Sequence, residues 1–206
     1  MFLIRIFILL IFILLHTCAL TKDREEILLN YPKKEINKYQ SFLVNPSDYT
    51  TNATIFHKKY SNHLIGIART IVEEKGLSII KESIGFYYDK KENTKTKLFL
   101  GVEISISLDP SLSLSSYNDI ALSQLKKYLK DLLYIVNSCK SIFSEKEIVG
   151  MVIGIHWEGN SRPEMINIWI VKTDVIRYEG KHLTTNELIE RNPITNTDGK
   201  IINLSI

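Results

Sequence analysis

Only two cysteines, Cys18 and Cys139, occur in 206 residues. If Cys18 is modified or removed, Cys139 has no partner, so no disulfide framework is expected and the fold must rest on its core. Excess charge of one sign is also lacking. The formal net charge is +3, and removal of the first seventeen residues takes away Arg5 and leaves +2. Lysines alternate with acids, as in Lys33, Lys34, Glu35 and Lys90, Lys91, Glu92, which is the pattern of a solvated face. With no basic stripe, nucleic acid is not an expected partner. There is no phosphate-cradling glycine loop, no Gly-x-Ser-x-Gly elbow, no His-Glu-x-x-His and no Cys-x-x-Cys, so neither a cofactor nor a metal is expected. A continuous apolar run of about 20 residues, long enough to span a bilayer, is missing as well.

What is present begins with the leader. Arg5 precedes an apolar run from Ile6 to Leu15, and His16-Thr17-Cys18-Ala19 follows. That order of charge, apolar stretch and polar end is that of a secretory signal, so export is expected. Leu15-His16-Thr17-Cys18 resembles the lipobox of bacterial lipoproteins, in which a Leu stands three residues before the lipid-bearing Cys. The resemblance covers residues 1–18 and implies that Cys18 becomes an acylated N-terminus held in a membrane. Two alternatives stay open: cleavage after Ala19, with Thr17 and Ala19 as the small residues of an ordinary signal-peptidase site, or an uncleaved anchor.

Residues 19–51 are polar and lysine-rich with Pro32 and Pro46, and read as a tether that cannot bury enough apolar surface to order itself, with Asp23 to Asn30 as a candidate short helix within it. The domain is placed at 52–180. Ala53 to Lys75 carries apolar residues at helical spacing and stops at Gly76. Leu77 to Tyr88 is rich in strand formers. Leu98, Leu100, Val102, Ile104, Ile106 and Leu108 alternate with mostly polar neighbours, the clearest strand signal in the chain, and Asp109-Pro110 ends it. Ser115 or Ser116 can cap a long helix whose apolar side runs from Ile120 through Leu129 and Val136 to Cys139 and Phe143. Cys139 therefore reads as a small core hydrophobe. Glu147 to Trp157 and Met165 to Tyr178 form a second strand pair around a dense turn cluster. In the tail, 181–206, Thr184 and Glu187 spell a capping box for a short helix before Asn192-Pro193.

The order is αββαββ. It predicts an α+β two-layer sandwich, a four-stranded antiparallel sheet with two helices on one face. Ile84 to Asp89 aligns with Ile153 to Glu158 in pattern, so duplication of a helix-plus-hairpin unit is one explanation and shared hairpin chemistry the other.

Two groups of residues invite a functional reading. His156 and Glu158 alternate on one strand and point the same way, with Asp109 at another strand end; together they are candidates for proton transfer. Tyr87, Trp157 and Trp169 place aromatic groups on the hairpins, where an exposed sheet face would serve as a binding platform. Core or cross-strand packing alone accounts for most strand aromatics and is the ordinary reading of these residues. The leading expectation is a membrane-tethered, non-enzymatic binding or structural protein, with the membrane and an envelope or extracellular protein as its partners. An exported hydrolase using His156 and Glu158, and a structural subunit of an envelope complex, are the alternatives.

Overall fold

The computed structural model describes residues 24–31, 36–48, 50–88, 96–112, 115–159 and 161–204. The leader, Cys18 and most of the Asp89–Lys97 loop lie outside the described residues. No helix among the described residues is long and apolar enough to cross a membrane.

The chain is mixed α and β. Residues 24–29 (α1) and Ile36–Gln40 (α2) are short helices, and Thr51–Arg69 (α3) runs into a π-helical turn at Thr70–Glu74. Ser78–Ile79 (β1), Gly85–Tyr88 (β2) and Leu98–Ile106 (β3) follow. Then come Tyr117–Asn137 (α4), Lys140–Ser144 (α5), Ile148–Glu158 (β4) and Pro163–Val171 (β5). Lys172–Glu179 (α6), Thr185–Arg191 (α7), Ile194–Asn196 (β6) and Ile201–Ile202 (β7) complete the order. The helix starts obey the local signals: Thr50 caps α3, Ser116 caps α4, and Thr184 with Glu187 forms a complete capping box on α7. Gly76, at φ 63°, takes the left-handed turn that ends the first long helix.

The expected four-stranded antiparallel sheet with two helices is corrected to a seven-stranded, mostly antiparallel sheet with more helices on it. The sheet order is β1, β3, β4, β5, β6, β7, and β2 also pairs with β3. Both expected hairpins form, yet they join through a parallel pair, Val102 opposite Ile153 and Ile104 opposite Ile155. The physical reason is the length of α4, which carries the chain back to the starting end of the sheet before β4 begins. One consequence bears on duplication. In the order β2, β3, β4, β5 the second strand of each hairpin lies on the same side of the first, but β4 runs opposite to β2. The two hairpins therefore turn with opposite hands, and no rotation superposes the two units.

The strand expected over Met165 to Tyr178 ends at Val171, and Lys172–Glu179 is helical. Val171, Val175 and Tyr178 have helical rather than alternating spacing. Buried Asp174 accepts from Asn192 Nδ2 at 3.2 Å, which fixes this helix to the tail. The tail itself supplies the last two strands of the sheet, β6 paired to β5 and β7 at the edge.

The stretch read as a tether is docked wherever it is described. Leu28, Tyr39 and Leu43 are buried in the main core. The Ile84 amide donates to the Phe42 carbonyl at 2.8 Å, and Leu43 bridges Ile84 in parallel. Residues 41–44 thus patch the gap between β1 and β2, where the strand expected from Leu77 to Tyr88 breaks at a turn with Glu82 at φ 56°. Three scattered apolar residues were enough, because each meets an existing core rather than building one.

Candidate functional site

Strand alternation gives the sheet two unlike faces. On the inner face Leu98, Leu100, Val102 and Ile104 of β3 join Met151, Ile153, Ile155 and Trp157 of β4 and Ile166, Ile168 and Ile170 of β5. These pack with the helices in the main core. Cys139 belongs to the same core, and burial pushes its thiol pKa up.

The outer face has a different chemistry. Phe99 and Val152 are buried but stand outside the main core, and Phe99 meets Trp169 edge-on with ring centroids 5.3 Å apart. Tyr87 opposes Phe99 across β2 and β3, and Val152 opposes Trp169 across β4 and β5. Glycines floor this row. A Cβ on Gly101 would come within 2.4 Å of the Tyr87 ring, one on Gly150 within 3.0 Å of the Phe99 ring, and one on Gly154 2.5 Å from Asn167 Oδ1. The side chains lie down on the sheet because those three positions carry none of their own. Tyr87 is held further by its hydroxyl, which donates to the Ser83 carbonyl at 2.8 Å.

Beside the aromatic row, His156 Nε2 and Glu103 Oε2 are 2.6 Å apart, each side chain about one quarter exposed. A carboxylate only accepts, so His156 Nε2 is the donor of this contact. Asn167 Oδ1, buried over Gly154, has no hydrogen-bond partner among the described residues. The outer face therefore offers rings for stacking, an imidazole–carboxylate pair and an unused acceptor.

The residues singled out from the sequence separate on this structure. Tyr87 and Trp169 share the outer face, half-buried. Trp157 does not: it is 2% exposed on the inner face, its ring centroid 5.6 Å from that of Tyr117 and its indole N–H donating to Glu164 at 3.1 Å. A platform residue at position 157 is thus corrected to a core residue, since Trp157 has the opposite parity from His156. The Tyr117 hydroxyl, which donates to the Met165 carbonyl at 2.7 Å, is pushed up to about 12, chiefly by desolvation.

His156 and Glu158 do lie on one face, and β3 and β4 bring Asp109 to the same end of the sheet. No hydrogen bond or ion pair joins the three among the described residues. Asp109 instead accepts from the Ser111 amide at 2.9 Å and hydroxyl at 2.7 Å, which holds its carboxyl below the ordinary value. His156 takes Glu103, a partner missed in the sequence because strand register decides it. No group of three or more acidic, His or Cys side chains suited to a metal occurs among the described residues.

No protein-family model, curated protein or solved structure matches this chain.

Proposed function

We propose that the chain is exported, held at a membrane by its N-terminal segment, and binds an envelope or extracellular protein through the outer face of its sheet. One observation carries the binding reading: the Tyr87, Phe99, Val152 and Trp169 cluster stands apart from the main core and is edged by the partly buried polar groups of Glu103, His156 and Asn167. Aromatic groups at the centre of a patch with polar groups around them are what protein interfaces use for anchoring. The flat glycine floor suits a broad partner surface better than a small enclosed ligand. The leader and its lipobox-like end support export and tethering.

The hydrolytic reading has no comparable support. Backbone N–H groups of β4 are committed to ladders on both sides, so none converges beside His156 to stabilise an oxyanion. The test is hydroxyl-radical footprinting of the protein in intact envelopes and after purification. Protection of Tyr87, Met165 and Trp169 in envelopes, with labelling of Ile176 on the helical side unchanged, is the expected result. Equal labelling of the outer face in both preparations would contradict the binding reading.

A further inference from the structure

On the helical side, a groove of about 1060 Å³ opens between the end of α4, α6 and the 180–185 turn. Its walls carry five basic side chains and two acidic ones. Two of the bases are matched: Lys75 pairs with Asp131 at 3.2 Å and Lys140 with Glu179 at 3.0 Å. Arg24, Lys130 and Lys181 have no acidic partner among the described residues, and the Arg24 guanidinium lies over the Tyr134 ring, 4.5 Å from its centroid. A chain whose whole formal excess is +3 concentrates a local excess of the same size here.

Two further observations indicate a ligand. Asn137 lines the groove at 3% exposure, and its amide Nδ2 is buried with no hydrogen-bond partner among the described residues. An unpaired buried donor is costly and uncommon unless something else completes it. Lys181 sits at φ 59°, in the left-handed region, at the end of α6. The His182 amide donates to the Arg177 carbonyl at 2.8 Å and the Lys181 amide to the Tyr178 carbonyl at 3.0 Å. This is the helix ending that strongly favours glycine at the position Lys181 holds. A cation is thus kept where the backbone prefers no side chain, and it lines the groove.

We propose that this groove binds a phosphate group, carried by an anionic membrane lipid. Three cations and an amide donor lining one groove fit the multiple oxygens of a phosphate better than a single carboxylate. Leu133, Val175 and Leu183, all buried, back the groove with core packing. The lipid source rests on the membrane-tether reading: Arg24 lies six residues after Cys18, and six residues extend at most about 20 Å. The phosphate site itself does not depend on that reading.

The test uses the full chain in neutral detergent micelles doped with phosphatidylglycerol or phosphatidylcholine, with glycerol 3-phosphate as the soluble arm, and reads thermal unfolding. Phosphatidylglycerol should raise Tm and phosphatidylcholine should not. Lys130→Gln should weaken the half-saturating phosphatidylglycerol concentration about fivefold. Lys181→Gly should weaken it similarly while raising the basal Tm by about 2–4 °C, since it relieves the left-handed side chain. That variant separates lost binding from lost folding. Equal stabilisation by the two lipids, or a response unchanged in both variants, would overturn the site. A response to glycerol 3-phosphate with none to phosphatidylglycerol would overturn the lipid source. A chain recovered from the cytosol with Met1 in place that still responds to glycerol 3-phosphate would refute the tether and leave the site standing.

Discussion

Leu28 occupies the space that a side chain at residue 66 would need: a Cβ on Gly66 would stand 2.4 Å from Leu28 Cδ2 and 2.5 Å from the Leu28 carbonyl oxygen. Rotation of the leucine could relieve the first approach but not the second, which involves backbone. Gly66→Ala should therefore lift residues 24–31 off α3 and cost about 2 kcal/mol or more, as loss of a buried leucine does. Amide hydrogen exchange over 24–31 should become fast in the variant while the β3 and β4 amides stay protected.

The two tryptophans should behave unlike each other. Trp157 is buried among the inner-face residues, so Trp157→Ala should cost about 3–5 kcal/mol. Trp169 is half-buried and its described ring contact is with Phe99, so Trp169→Ala should cost only about 1 kcal/mol. Urea unfolding of both variants checks the ranking. A reversed order would mean that the two faces of the sheet have been misassigned.

That difference also marks how far the sequence could be read. Alternation in Leu98 to Leu108 showed which side of β3 faces the core, and the caps at Ser116 and Thr184 were legible from local chemistry alone. Parity within β4 separates His156 from Trp157 without any structure, and applying it would have moved Trp157 to the core. Strand pairing was not legible, because a parallel and an antiparallel neighbour demand the same alternation from Ile153 and Ile155. The Glu103–His156 contact follows only from that register. Docking of Leu28 and Tyr39 escaped for another reason: single apolar residues in a polar stretch carry no period, and their burial depends on a surface made elsewhere.

Acid should weaken the tail through its capping box. Thr184 donates to Glu187 from its amide at 2.7 Å and from its hydroxyl at 2.8 Å, and these bonds hold the Glu187 carboxyl below its ordinary 4.5. A carboxylate with a depressed folded-state pKa contributes stability that is complete above its unfolded value and lost as pH falls through the folded one. The stability gap between the parent protein and Glu187→Gln should thus be widest near neutrality and close as pH drops below 4.5. Denaturant melts at a series of pH values measure it; a gap independent of pH would contradict the assignment.

Cys139 should be silent to thiol reagents in the native protein. It is fully buried, and desolvation disfavours the thiolate that such reagents attack. Alkylation at pH 8 should proceed only at the rate of unfolding and become rapid in denaturant, with mass shifts as the readout. Rapid modification under native conditions would place Cys139 outside the core.

Export and tethering rest on the first eighteen residues, and the mass of the purified protein tests them most directly. The account predicts a chain that begins at Cys18 and carries acyl mass on that residue. A product that begins at Leu20, or one recovered from the cytosol with Met1 in place, would contradict it.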